Sequence, residues 1–242
     1  MFFKKVALLC FTFIACNCFG SQENLEVISG LMGRGKTKGL ISKALRAKKG
    51  GKTVLALFHH FELGRQQYKT EKGLWDYTGQ HFPAMAVKDG NDILVQYNTW
   101  KKEGNKPDLV LLDEGQFFMN DESLIPAIKT ISSDKTKVIV AGLTHTFLKE
   151  DFGPMPALKK MAHVVHELSR GKCVKCKTNT AAWMQRIIIE KGTEGTTKKR
   201  AKRTDPIILV GKEDSYERRC ETCHIIPNCD QNCEGCKECI DT

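Results

Sequence analysis

The chain has 242 residues, 41% hydrophobic and 27% charged, with a formal net charge of +10. Its length and apolar content suit one α/β domain with a small appendage, and no apolar run after the first twenty residues is long enough to span a bilayer. The positive excess fits either a nucleic-acid partner or the handling of phosphorylated ligands, and by itself decides neither.

The first twenty residues, MFFKKVALLCFTFIACNCFG, carry Lys4-Lys5, an apolar run from Val6 to about Cys16, and small residues at Gly20-Ser21. This is the shape of a secretory signal, too short for an ordinary spanning helix; the alternative is an extension that takes no part in the fold. Next, Leu25-Glu26-Val27-Ile28 reads as a strand ended by Ser29-Gly30, and Leu40, Ile41, Ala44 and Leu45 then recur at helical spacing up to Gly50-Gly51. Between them stand Gly30, Leu31, Met32, Gly33, Arg34, Gly35, Lys36 and Thr37, spaced G-x-x-x-x-G-K-T. Strand, glycine-rich loop and helix form the setting of a phosphate loop, in which backbone N–H groups and a helix N-terminus face the anion. Lys36 would reach the β- and γ-phosphates, and the Thr37 hydroxyl would face Mg²⁺.

Thr53–Leu57, Asp92–Val95, Lys137–Ala141 and Val164–Leu168 are read as further short strands separated by helices, which implies a mostly parallel sheet. Trp75, Trp100 and the 61–64 region are read as loop and cover. In PDLVLLDEGQFF, residues 107–118, the run Leu109–Leu112 has the continuous apolar character of a strand buried on both faces. It ends in Asp113-Glu114, at the carboxyl end where ligands bind in open α/β sheets. Asp113 suits a Mg²⁺-holding role and Glu114 a proton-accepting one; the competing reading is a pair of helix caps. His59, His60 and His145 are read as loop or substrate-side residues, since no ligand spacing links them.

The eleven cysteines fall at the two ends of the chain. Cys173-x-x-Cys176 and Cys220-x-x-Cys223 can each place two thiolates on one ion, and together they close a tetrahedral Zn²⁺ site; two disulfides are the alternative. His224 is a less favoured substitute ligand. The basic run at 197–203 is read as a solvated loop. The tail cysteines Cys229, Cys233, Cys236 and Cys239 suit either a second metal or an oxidisable tail.

In this order and spacing the segments resemble the type II, zinc-containing thymidine kinases, from about Leu25 to His224. The carriers are the loop 30–37, Asp113-Glu-Gly-Gln116-Phe-Phe118, Gly142–Phe147 with Phe152-Gly153, Cys173-x-x-Cys176 with Ala181-Ala182 and Arg186, and Val210-Gly211-Lys212 with Tyr216. The resemblance implies a P-loop NTPase-type α/β fold, a mostly parallel sheet flanked by helices, with a small ribbon-like zinc domain. The corresponding division is a signal-like or dispensable segment 1–20, a nucleotide domain 21–168, a zinc-binding and nucleoside-covering domain 169–226, and a cysteine-rich tail 227–242.

It further implies transfer of the γ-phosphoryl of ATP to the 5′-hydroxyl of thymidine, with Glu114 as general base and residues 30–37, Asp113 and Gln116 holding ATP and Mg²⁺. Phe147, Ile207, Ile208, Leu209, Val210, Gly211 and Tyr216 would enclose the nucleoside, with Met32 near the methyl pocket. A homotetramer and a structural Zn²⁺ also follow from the resemblance, whereas a nucleic-acid partner does not. ATP and reduced thiolates are intracellular resources, which points to the cytoplasm, although the first twenty residues leave export or membrane attachment open.

The sequence departs from the family pattern at Glu62, where the family has an aspartate, with Arg65 displaced. It departs again at Thr144-His145, at Lys212, and in the basic insertion. These positions bear on substrate and phosphate placement, so a P-loop ATPase or nucleotide-binding protein with lost or changed nucleoside specificity is the alternative.

Overall fold

The computed structural model describes residues 22–64, 66, 69, 71–192, 195–209 and 215–227. The signal-like segment, Arg65, Val210, Gly211, Lys212 and the four tail cysteines lie outside them.

Six parallel strands form the main sheet in the order β5-β2-β6-β7-β1-β8. They are β1 (Gln22–Ser29), β2 (Val54–His59), β5 (Met85–Val87), β6 (Leu109–Asp113), β7 (Lys137–Gly142) and β8 (Ala162–Glu167). Alternate side chains go to opposite faces, and both faces are covered, so the inner strands are predominantly apolar. One face carries Leu25, Val27, Val110, Leu112, Val138 and Val140 against α2 (Gly90–Lys102), α3 (Leu124–Ser133) and α4 (Met155–Met161). The other carries Ile28, Leu111, Ile139 and Ala141 against Leu40, Ile41 and Ala44 of α1 (Lys36–Lys49). On that side a hairpin of β3 (Gly73–Trp75) and β4 (His81–Pro83) adds Leu74 and Phe82.

A buried carboxylate interrupts the apolar part of β1. Glu26 is buried beside α1, where it accepts from Lys43 Nζ at 3.0 Å and pairs with Lys137 and with His166 Nε2 at 3.0 Å. Burial opposes its ionisation, but the hydrogen bonds from Lys137, His166 and Lys43 prevail and hold its carboxyl down to about 2.

Two sequence expectations give way. Asp92–Val95 lies within α2, because the Asp89 side chain caps the Asp92 N–H at 2.9 Å and Ile93 and Tyr97, four residues apart, face the core. A four-residue apolar run does not distinguish strand from helix. The basic run is strand rather than loop as far as Arg200: β10 (Gly195–Arg200) pairs with β9 (Trp183–Gly192), which pairs in turn with β11 (Tyr216–Arg219). Lys198 bonds Glu217 at 2.7 Å, Lys199 bonds Glu190 at 2.8 Å, and Arg200 is buried, so pairing partners distant in sequence neutralise this charge. Trp75 and Trp100 stand on β3 and α2, and residues 60–64 form a 3₁₀ turn. Among the described residues no helix is long and apolar enough to cross a membrane.

Leu111 is fully buried in β6 beneath α1. Leu111→Ala is expected to lower folding stability by about 2–5 kcal/mol, read by urea denaturation with an unchanged slope.

Candidate functional site

β1 delivers the glycine-rich loop and β6 delivers Asp113-Glu114 to the same end of the sheet, although β7 lies between them. Gly33 and Gly35 take φ values of +65° and +86°, the left-handed region that favours glycine and lets the loop turn into α1. Lys36 Nζ donates to the carbonyls of Gly30 at 3.1 Å and Leu31 at 3.2 Å, so the ammonium lies across the loop. Thr37 Oγ1 donates to Asp113 Oδ2 at 2.7 Å, and the Glu114 N–H donates to Asp113 Oδ1 at 3.0 Å. Burial pushes the Asp113 carboxyl up to about 7, and the neighbouring Glu114 charge adds to this. A buried carboxylate and a hydroxyl in contact make a donor set that fits a hard divalent ion.

Glu114 has φ +55° and ψ +43°, a left-handed conformation that costs about 1–3 kcal/mol for a non-glycine residue. It turns the chain from β6 into the 3₁₀ turn Gly115–Phe117. Gln116, expected among the cofactor-binding residues, is buried, and its side chain joins two parts of the site. Its Nε2 donates to Glu114 Oε2 at 2.5 Å, and its Oε1 accepts from the Leu143 N–H at 2.9 Å. It thereby connects Glu114 with the loop after β7 that carries Phe147.

Phe147 is buried in a small cluster with Leu148, Ala201, Ile207, Tyr216 and Ile226. The Arg186 guanidinium lies 5.5 Å over its ring and donates to the Pro206 carbonyl, fixing the entry to Ile207. A cleft of about 350 Å³ joins these parts. Its walls include Met32–Thr37, Asp113, Glu114, Gln116, Phe147, Ile207, Ile208, Leu209 and Tyr216, so every described substrate-side residue singled out from the sequence borders one space. Gly30 and Leu31 line a smaller adjoining cleft instead.

Lys38, Asp76, Tyr77 and Met184 also line the cleft, with no role legible in the sequence, as do Trp75, read as cover, and Leu143 of the 142–147 segment. Glu62, noted only as a departure, is buried at the wall. A tryptophan at the end of a short polar segment was the available signal for the hairpin. Met184 gave none, since its role depends on where β9 packs.

The four sulfurs of Cys173, Cys176, Cys220 and Cys223 lie within 4.8 Å of one another, and these cysteines are free. Cys176 Sγ and Cys220 Sγ are 3.8 Å apart, beyond any disulfide. That spacing is the edge of a tetrahedron with bonds of about 2.3 Å, the usual zinc–sulfur length, and the set could hold one zinc ion. Hydrogen bonding, led by Thr178, holds the Cys176 thiol down, while contact with Cys220 leads the effects that push Cys223 up. His224 stands outside the cluster with its Nε2 3.0 Å from the Phe147 carbonyl. Among the described residues, His59, His60 and His145 belong to no such group. His145 stacks edge-on against Trp183 at 5.1 Å and lines the cleft.

A parallel sheet with a phosphate loop after its first strand and paired acids at a neighbouring carboxyl end defines a P-loop nucleotide-binding protein. The thymidine kinase family model matches residues 23–224, and the chain belongs to that family. Among solved structures, AMPPCP-bound DnaA from Aquifex aeolicus shares 20% identity at a TM-score of 0.36, covering 65% of this chain and 44% of that one. A DNA replication initiation factor shares 19% at a TM-score of 0.35, covering 60% and 40%. The chain thus spans about two fifths of the length of these structures, and likeness this distant carries no functional argument.

His59, at the carboxyl end of β2, is buried among Phe61, Phe117 and Phe118, and burial pushes it down to about 4 from 6.5. A folded pKa below the unfolded one stabilises the native state above the unfolded value, and that stabilisation is lost as pH falls through the folded value. Stability should therefore fall between about pH 6.5 and 4, and His59→Phe should flatten that part of a denaturation-against-pH series.

Proposed function

We propose that this chain is an ATP-dependent nucleoside kinase that phosphorylates thymidine on its 5′-hydroxyl, forming dTMP for DNA precursor salvage. The observation that carries the reading is the single cleft shared by the phosphate loop, Glu114 and the Phe147–Tyr216 wall. The family membership makes a nucleoside the natural acceptor.

Phosphoryl transfer needs mainly positioning and charge stabilisation. Backbone N–H groups of the loop and Lys36 would bind the triphosphate. Glu114 would take the proton of the 5′-hydroxyl as that oxygen bonds the γ-phosphorus and the bond to the ADP oxygen breaks. Gln116, held from both ends, would keep the Glu114 carboxylate aimed at the acceptor. Thr37 and Asp113 would hold Mg²⁺, which neutralises phosphate charge when bound. Phe147, Ile207–Leu209 and Tyr216 would exclude water and bind the base, with Val210 and Gly211 continuing that wall and Met32 near the methyl. The nucleotide part would comprise residues 21–168 and the covering part 169–226. Oligomerisation, as a tetramer, belongs to the same proposal.

Glu62 supports a second reading, a nucleotide-binding ATPase with changed acceptor specificity. Its longer side chain occupies the cleft wall where the family pattern has aspartate. A panel of nucleosides with labelled ATP separates the two: thymidine phosphorylation supports the first, and ATP hydrolysis without any nucleoside acceptor overturns it.

Glu114→Gln should lower turnover by roughly 10²–10⁴-fold while ATP binding stays close to wild type. Turnover equal to wild type would remove Glu114 from the mechanism.

The four-cysteine cluster is proposed to hold a structural Zn²⁺, because protein sulfur fills all its coordination positions. A chain ending after Ile226 should contain one zinc by elemental analysis, and Cys220→Ser should lose it together with thermal stability. A zinc-free wild-type chain with all four thiols titratable would refute the assignment.

A further inference from the structure

The cysteine module reaches the phosphate loop from two sides, through Ser169, which accepts from Arg34, and through Arg218 of β11. β11 ends at Arg219, directly before Cys220, and its Arg218 is anchored by backbone at both sides: the Val174 N–H donates to the Arg218 carbonyl at 2.8 Å, and Arg218 pairs with Met184 of β9. From this position the side chain reaches residues nearly two hundred positions away. Its Nη1 donates to the Met32 carbonyl at 3.4 Å, at the long limit of a hydrogen bond. The same Nη1 lies against Gly33, 3.4 Å from where a Cβ would stand.

The environment of this guanidinium is incomplete. Its Nε is buried without a hydrogen-bond partner, and no carboxylate among the described residues pairs with it. Its neighbour Arg219, by contrast, bonds Glu217 at 2.5 Å. An unpaired, half-buried cation is costly unless an anion completes it. Arg34, also on the loop, is already engaged, donating to the Ser169 carbonyl at 2.6 Å. Lys36 and Arg218 therefore lie on consecutive stretches of one loop, Lys36 on the carbonyls of Gly30 and Leu31 and Arg218 on that of Met32.

We propose that Arg218 is a second cation of the phosphate loop, supplied within the same chain by the cysteine module, and that it binds the terminal phosphates of ATP. The inference rests on the nucleotide-site reading given above. Moving from a carbonyl to a phosphate oxygen exchanges a weak neutral acceptor for a charge-assisted one and gives the guanidinium its missing counter-charge. It also couples the metal to the donor nucleotide. The distance in sequence between knuckles and loop suggests that metal loss acts on the nucleoside alone, but Arg218 is carried on the strand that Cys220 terminates, so metal loss should weaken ATP binding as well.

Calorimetry of Mg-ATP, AMP and thymidine on wild type, Arg218→Ala and Arg218→Lys tests this. Arg218→Ala should weaken Mg-ATP binding by roughly 10–100-fold, with AMP and thymidine affinities and zinc content unchanged, and Arg218→Lys should restore only part of the loss. In the wild-type chain, Mg-ATP but not thymidine should protect Arg218 from phenylglyoxal, read by peptide mass spectrometry; this arm stands even where the alanine variant does not fold. Equal ATP affinity in wild type and Arg218→Ala, or modification of Arg218 indifferent to ATP, overturns the inference alone. A wild-type chain that binds no ATP overturns the nucleotide-site reading and this inference with it.

Discussion

The hydrogen bond from Thr37 to the buried Asp113 carboxylate is the contact on which the site depends. It joins the first turn of α1 to the end of β6 across an intervening strand, and so fixes the phosphate loop relative to Glu114. Full burial of both sheet faces makes this arrangement necessary. With apolar side chains required along the inner strands, the polar groups have only the carboxyl ends of the strands and the loops that follow. Asp113 remains hydrogen-bonded there at the cost of a raised pKa, which is the electrostatic condition a bound cation relieves.

Glu114 and Gln116 show how local strain is retained. A left-handed glutamate would relax in isolation, but Gln116 grips its carboxylate and the Leu143 N–H together, and Gln116 is itself fully enclosed. Its two hydrogen bonds leave neither end of the amide free to rotate. The same side chain that orients Glu114 thus also sets the start of the loop leading to Phe147.

The three-stranded sheet solves a different problem. It buries Arg186, Arg200 and Arg219 with a small apolar complement, so it stands on charge pairing and on the four sulfurs more than on a core. A four-sulfur cluster at the base of β11 that could hold a metal suits this, since a small module with little apolar area needs a cross-link to hold its loops. Arg186 fixes Pro206 while Glu217 pairs with both Lys198 and Arg219, so the segment leading to Ile207 is tethered from two strands.

The sequence by itself determined what depends on neighbours along the chain. The phosphate loop is a local backbone geometry, the strands β2, β6 and β7 carry continuous apolar runs because both their faces are buried, and each cysteine knuckle closes within four residues. The resemblance to the kinase family rested on those same local segments, and the family match confirms it. The tertiary structure decided what depends on distant pairing. Asp92–Val95 became helix because Ile93 and Tyr97 meet a core formed by other strands, and the basic run became strand because β9 and Glu217 supply its partners. Glu62 and the hairpin entered the cleft, Gln116 became a bridge, and Arg218 came to rest on Met32, 186 residues away. Such contacts leave no periodic trace, because a side chain's type and spacing encode its own element and not the element packed against it.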